Sequence, residues 1–193
     1  YLFISEIAET ETVLEETLWV EAAERADSLG VNVINTSLGY TTYDNENHSH
    51  SYADMDGKTT FISRGAEIGV SRGMILVNSA GNDGSSSWKY IGAPADAAAV
   101  FSIGAVNFLE NIASFSSFGP TADDRIKPDV LAQGSSAAII NYSSGNVSTS
   151  NGTSFSSPIM TGVVACFWQA FPNKTNFEIM DLIRKSADKY NNP

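Results

Sequence analysis

Cysteine, histidine and basic residues are scarce in this chain of 193 residues. The single cysteine, Cys166, excludes an internal disulfide. It falls within an apolar helical pattern, so we expect its thiol to be core filler rather than a reactive group. Only 11 Lys and Arg residues stand against 22 Asp and Glu, which gives a formal charge of −11 without a basic cluster. This balance argues against nucleic acid and against an anionic membrane surface as partners.

Long apolar runs are also missing. The strongest run, after Pro158, is too short to span a bilayer, so we expect no membrane partner. With 42% hydrophobic and 10% aromatic residues the chain can bury one good core. We expect a single domain over residues 1–193.

Apolar runs alternate with helical patterns along the chain. Strands are predicted over residues 1–7, 31–37, 74–77, 100–106, 112–115, 130–132 and 137–142. Helices are predicted from a capping box at Thr12 to a stop at Gly30, over 60–72 and 159–171, and after a capping box at Thr175. Repeated strand–helix–strand units favour parallel pairing. The sequence therefore predicts an α/β protein with a doubly wound, mainly parallel sheet flanked by helices.

Two groups of charged or titratable side chains are predicted to be solvated. Glu15 and Glu16 lie at the N-terminal end of the first predicted helix, where the helix dipole favours carboxylates. His48 and His50, the only histidines, lie in a polar run. We expect both histidines to lie in a solvated loop.

A turn of small residues precedes an apolar helix near the end of the chain, with the sequence Asn-Gly-Thr-Ser-Phe-Ser-Ser-Pro over 151–158. The small residues before Ser154 let a substrate approach the backbone closely. The helix that follows points its free N–H groups and positive dipole end at this serine. Pro158 is expected in the first turn, where a missing donor costs nothing. The pattern indicates a nucleophilic serine, and a plain helix cap at Thr153 or Ser154 is the alternative.

Two further segments end apolar strands with small polar residues. Ala-Gly-Asn-Asp-Gly over 80–84 presents Asn82, whose carboxamide suits an oxyanion donor or, alternatively, a simple turn. Val-Ile-Asn-Thr-Ser-Leu-Gly over 33–39 ends in residues able to pair with an extended peptide. Ligands collect at the carboxyl ends of parallel strands, so these segments are expected at the binding edge of the sheet.

Together these segments resemble the subtilases, the subtilisin-like serine peptidases. The three motifs stand in the family's order, and residues 113–120 and 127–132 match two further family segments. The resemblance covers nearly the whole chain apart from about residues 40–60. It implies an oxyanion hole formed by the Asn82 side chain and the backbone N–H of Ser154, the nucleophile. The implied substrate-binding residues are Ser37, Leu38 and Gly39, which pair with the substrate backbone, and Gly81 and Gly92, which line the pocket for the residue before the scissile bond.

The other two catalytic residues of the family are missing. A subtilase triad runs Asp, His, Ser along the sequence, and neither the Asp-x-Gly nor the His-Gly-Thr setting occurs here. The chain begins with a segment that resembles a central family strand downstream of both. The resemblance thus implies the C-terminal part of a catalytic domain, lacking its N-terminal strands and inactive by itself. Its parent would be a serine endopeptidase acting through an acyl-enzyme on Ser154; a pseudoprotease or peptide-binding module is the alternative.

The resemblance also implies the partners and the location. The expected partner is a peptide or protein substrate, and no cofactor is required. The expected location is secreted, periplasmic or at the cell surface, because bacterial members of the family are mostly exported. An edge left without its neighbouring strands opens the chain to self-association.

Residues 40–60 depart most from the family pattern. Asp54-Met55-Asp56-Gly57 begins like a calcium loop, which would make Ca²⁺ a ligand here. The later ligands that an EF-hand requires are missing. A solvated insertion near the substrate cleft is the interpretation we favour.

Overall fold

The computed structural model describes residues 1–191. Strands and helices follow one another along the chain. In order they are α1 (Leu14–Ser28), β1 (Val33–Thr36), α2 (Phe61–Ser71), β2 (Ile75–Ser79), β3 (Phe101–Val106), β4 (Val130–Gln133), β5 (Ala137–Ile140), β6 (Val147–Ser150), α3 (Thr153–Ala170) and α4 (Asn176–Ser186). Two short 3-10 helices, Glu46–His48 and Tyr52–Asp54, lie between β1 and α2.

A four-stranded parallel sheet in the order β1-β2-β3-β4 forms the centre of the fold. The strands β5 and β6 pair as a separate antiparallel hairpin. Helix α3 packs against all four strands of the sheet, α2 packs against β2, and α1 packs against α2. This confirms the predicted α/β class with a mainly parallel sheet flanked by helices.

The inner strands are apolar because both of their faces are covered. All five residues of β2 are buried, as are the first five of β3. Continuous apolar runs of this kind are typical of parallel strands between two helical layers. The strand β1 lies at one edge of the four-stranded sheet, and its pattern is less buried.

Several predicted helix ends are confirmed. Thr60 caps α2 by accepting a hydrogen bond from the backbone N–H of Ser63. Thr175 and Glu178 form the predicted capping box of α4. Gly30 follows α1 with φ of +75°, a conformation that favours glycine after a helix.

Three of the local predictions are wrong. Residues 1–7 form no strand, because an extended segment becomes a strand only when its backbone pairs with a neighbour. Residues 112–115 make only an isolated bridge between Ile112 and Val106. No capping box forms at Thr12, since α1 begins at Leu14 with Val13 as its cap residue. The strand β6 was not predicted, since its sequence Val-Ser-Thr-Ser is largely polar.

The buried face of α1 also differs from the prediction. Leu14 is half exposed, whereas Trp19, Ala23 and Ala26 are buried. Glu15 and Glu16, both predicted to be solvated, are 1% and 3% exposed. The correction places two carboxylates within the interface that joins α1 to its neighbours.

Glu16 is buried because three groups hydrogen-bond its carboxylate. One oxygen accepts from Tyr43 and lies 2.8 Å from His50 Nε2, and the other accepts from the backbone N–H of Ile62 at 2.8 Å. The prediction for His50 is therefore wrong, because its side chain is only 15% exposed, while His48 is exposed as predicted. Through these bonds Glu16 joins α1, α2 and the connection between β1 and α2.

Helix α3 departs from the sequence prediction in two ways. It begins at Thr153 rather than Ile159, so Pro158 lies in the second turn and not in the first. Cys166 is exposed and is not core filler, because it lies on the side of α3 that faces away from the sheet. Within residues 1–191, none of the helices combines the length and apolar character needed to cross a bilayer.

We expect Glu16→Gln to lower the free energy of unfolding at neutral pH by roughly 2 to 3 kcal/mol, because charge-assisted hydrogen bonds inside the protein are lost. Although burial raises it, hydrogen bonds from His50, Tyr43 and Ile62 hold the pKa of Glu16 below its usual value of 4.5. The stability gained from ionised Glu16 is therefore full above that value and is lost as the pH falls through the lower folded-state pKa.

Urea unfolding measured from pH 7 to pH 3 tests this expectation. The variant should lose part of the acid sensitivity of the wild-type protein. Glu21→Gln, on an exposed position of the same helix, is the matched control. Equal stability of the two variants would contradict the role given to Glu16.

Candidate active site

Ser154 is the second residue of α3 and is half-buried. Gly152 precedes the helix with φ of +151°, and its N–H donates to the carbonyl of Gly134 at 2.9 Å. The hydroxyl of Ser154 donates to the carbonyl oxygen of Ser37 at 3.3 Å. A residue with a β-carbon would be strained at this φ, so the glycine lets the chain turn sharply into the helix.

Asn82 lies after β2 and is tied to the start of α3. Its Oδ1 accepts from the backbone N–H of Thr153 at 2.8 Å and lies 3.1 Å from the hydroxyl of the same residue. The Thr153 hydroxyl in turn accepts from the N–H of Gly81 at 3.2 Å. Because the oxygen of the Asn82 amide is engaged, its Nδ2 is the end left to donate to a ligand.

The segment after β1 is held on both sides. The carbonyl of Leu38 accepts from Asn78 Nδ2 at 3.2 Å. Tyr40 forms an antiparallel bridge with Ala93, in which the two N···O distances are 2.8 and 3.2 Å. A β-carbon on Gly39 would lie 3.2 Å from the carbonyl oxygen of Ala93, so the two segments approach closely at this point.

All the site residues predicted from the sequence line one cleft of about 210 Å³ at the carboxyl ends of β1 and β2. They are Ser37, Leu38, Gly39, Gly81, Asn82, Gly92 and Ser154. Sequence reasoning missed four further lining residues, which neighbour the predicted ones in the chain: Thr41, Ser79, Ala80 and Asp83. The structure thus brings the predicted residues together; the catalytic and binding roles assigned to them stay predictions.

Neither histidine lines this cleft. His50 is bonded to Glu16, and His48 lies in an exposed 3-10 helix. Asp83 lines the cleft, but one of its oxygens accepts from the hydroxyl of Ser86 at 3.2 Å. Among residues 1–191, the cleft lining therefore offers Ser154 no imidazole as a base.

The carboxylates of the 54–57 segment bind their own backbone. Asp54 accepts from the N–H of Ser51 at 2.7 Å, and this bond is the main cause that lowers the pKa of Asp54. Asp56 accepts from the N–H groups of Lys58 and Thr59 at 2.8 and 2.7 Å. Across the part of the chain that the structure describes, no three Asp, Glu, His or Cys side chains form a group able to hold a metal ion. Calcium binding by residues 40–60 stays untested.

At the carboxyl edge of the parallel sheet, a serine at the start of a helix and a carboxamide line the same cleft. The chain belongs to the subtilase family, whose model matches residues 3–193.

Curated relatives of the family are about 30% identical to this chain. Subtilisin DY from Bacillus licheniformis is 30% identical over 169 residues, which make up 87% of this chain and 54% of that protein. Serine protease AprX from Bacillus subtilis is 31% identical over 151 residues, 67% of this chain and 34% of the relative. The chain thus spans about half, or less, of the length of these relatives.

Solved structures share the fold. The self-cleaved protease domain of PatA superposes with a TM-score of 0.70 at 24% identity, over 91% of this chain and 61% of that one. A cold-adapted subtilisin-like serine proteinase gives a TM-score of 0.68 at 19% identity, over 88% of this chain and 54% of its own. At these identities the likeness concerns the fold.

We expect Asn82→Leu to lower the free energy of unfolding by about 1 kcal/mol, because the backbone N–H of Thr153 loses its cap. Asn82→Asp keeps an oxygen at that position and should cost less. Thermal unfolding of both variants checks this. If both lose the same stability, the bond to Thr153 does not hold the start of α3.

Proposed function

We propose that this chain is the C-terminal part of the catalytic domain of a serine endopeptidase, in which Ser154 forms the acyl-enzyme. One observation supports this most directly: Ser154 and Asn82 line the same cleft, and the Asn82 oxygen is anchored at the start of α3. That anchor leaves the amide nitrogen as a donor beside the serine. Family membership agrees with this assignment.

In the complete enzyme a histidine outside this chain takes the proton of Ser154 Oγ as that oxygen attacks a peptide carbonyl, and an aspartate orients the imidazole. The carbonyl oxygen becomes an oxyanion, which accepts from Asn82 Nδ2 and the backbone N–H of Ser154. The substrate backbone pairs with residues 37–39 as an added strand. Gly81 and Gly92 leave space for the side chain before the scissile bond.

The chain by itself is expected to be inactive. Its serine hydroxyl donates to the carbonyl of Ser37 and has no base to remove its proton. In subtilisin itself, loss of the catalytic serine or histidine costs on the order of 10⁶ in turnover, and the oxyanion hole with binding retains roughly 10³ to 10⁴ over water.

A peptide-binding module or pseudoprotease is the second candidate. One observation favours this candidate: the cleft has an anchored amide but no imidazole among its lining residues. The coding sequence upstream distinguishes the two. Asp-x-Gly and His-Gly-Thr elements there indicate the enzyme, and their absence indicates the binding module.

Partners and location follow from the proposed activity. The partner is a peptide or protein. A formal charge of −11 disfavours binding to the phosphates of nucleic acid. We propose export to the exterior, the periplasm or the cell surface, and catalysis without a cofactor. Calcium bound by residues 40–60 would be a structural addition.

A fluorophosphonate probe tests the activity. We expect no stoichiometric burst of labelling on the isolated chain and full labelling of Ser154 in the protein extended upstream through its Asp and His. In the extended protein Asn82→Asp should lower kcat by about 10² to 10³, because one oxyanion donor is lost while the cap on Thr153 remains. Ser154→Ala is the blank. Rapid labelling of the isolated chain would contradict the missing base.

Self-association through the edge of β1 is a second proposal. Ile75 donates to the carbonyl of Asn32, so the N–H of Val33 points toward the free edge of the sheet. Tyr1, Leu2 and Phe3 add exposed apolar surface beside this edge. A second copy of the chain could pair there.

Sedimentation velocity over rising protein concentration is expected to show dimers. Added salt should favour them, because it screens the repulsion between copies that each carry a charge of −11. Val33→Pro, which removes an edge donor without touching β2, should stay monomeric. A wild-type chain that is monomeric at every concentration contradicts the proposal.

A further inference from the structure

The first turn of α3 contains a carbonyl that the helix leaves without its usual N–H partner. Pro158 has no N–H, so it cannot donate to the carbonyl of Ser154, four residues earlier. That carbonyl instead accepts from the hydroxyl of Ser37, at 3.0 Å. The serine assigned as nucleophile therefore has its own peptide group bonded to the segment that follows β1.

The Ser37 hydroxyl is held in this orientation by Asn35. Asn35 Nδ2 donates to Ser37 Oγ at 3.1 Å, which makes that oxygen an acceptor and turns its single proton toward Ser154. Asn35 Oδ1 accepts from the hydroxyl of Ser157 at 2.8 Å and lies 3.0 Å from that of Thr161. Both of these residues lie on α3, so the Asn35 amide is fixed at both ends.

We propose that Asn35 is a positioning residue for Ser154, acting through the hydroxyl of Ser37 on the carbonyl that Pro158 leaves free. The inference rests on the proposed peptidase function and adds a residue that does not line the cleft. Ser154 also donates through its own hydroxyl to the carbonyl of Ser37, so the two serines are joined by two hydrogen bonds. The two bonds thus fix Ser154 relative to residues 37–39, the segment proposed to bind the substrate backbone.

The chemical consequence is a requirement on distance. The oxyanion donor on the backbone of Ser154 and the substrate carbonyl aligned by residues 37–39 must meet within a few tenths of an ångström. The bond between the carbonyl of Ser154 and the hydroxyl of Ser37 ties the residue that carries this N–H to the segment that aligns the substrate. Asn35 acts on this bond indirectly, by choosing the direction in which Ser37 donates.

A double-mutant cycle on this chain tests the hydrogen bond from Ser37 to the Ser154 carbonyl, and it needs no enzymatic activity. Ser37→Ala should lower the folding equilibrium constant roughly threefold to tenfold, the value of one hydrogen bond. Pro158→Ala supplies the missing N–H, so in that background Ser37→Ala should cost at most a factor of two. An equal loss of stability in both backgrounds would overturn the claim that Ser37 satisfies the carbonyl that Pro158 leaves free. Urea unfolding followed by circular dichroism measures all four proteins.

Kinetics of the upstream-extended protein test the positioning role. Asn35→Asp keeps acceptors for Ser157 but loses the donor to Ser37, and its carboxylate draws the Ser37 proton away from Ser154. We expect kcat to fall by about tenfold while KM changes less than twofold. Adding Pro158→Ala should restore much of the loss, because the helix then holds the carbonyl of Ser154. A merely structural role would not give this rescue.

The matched control is Asn32→Ala, at an exposed asparagine just before β1. Its kcat should equal that of the wild-type protein. An unchanged kcat in Asn35→Asp, or a loss that Pro158→Ala fails to relieve, overturns the inference. An extended protein with no activity at all would instead reject the proposed function. The unfolding cycle would still decide whether the hydrogen bond between Ser37 and the Ser154 carbonyl contributes to stability.

Discussion

The cleft depends on how the first turns of α3 are tied to the ends of two parallel strands. Asn82, after β2, caps the backbone of Thr153, and Ser37, after β1, accepts from and donates to Ser154. A helix start has N–H groups without internal partners, and a proline in the second turn frees a carbonyl as well. Both unsatisfied sets point toward the strand ends, so the fold satisfies them with the same residues that line the cleft.

A second group of contacts supports the cleft from outside. Glu16 joins α1 to α2 and, through Tyr43 and His50, to the connection between β1 and α2. The ring of Tyr43 stacks on Tyr40 at a centroid distance of 6.0 Å. Tyr40 bridges to Ala93, next to the cleft residue Gly92. The segment that departs most from the family pattern therefore packs against residues that support the cleft.

The open edge of β1 lies next to the segment that lines the cleft, residues 37–39. A parallel sheet stabilises each strand through its neighbours, and β1 has a neighbour on one side only among the strands described. Ser154, Asn82 and residues 37–39 lie together in the cleft, at the carboxyl end of the same strand. The charge of −11 on each copy of the chain opposes aggregation at that edge.

The sequence by itself determined the features that depend on local chemistry. A turn of small residues before an apolar helix predicted Ser154, and small residues at the ends of apolar strands predicted Asn82 and residues 37–39. The Thr175 capping box predicted the start of α4. Only the tertiary structure decided burial and pairing. Glu16 and His50 look solvated in the chain and are bonded inside it, because their partners lie in other elements. Helical and capping signals come from residues a few positions apart, whereas a residue's solvation and a strand's partner depend on residues tens of positions away, whose proximity only the packed fold creates.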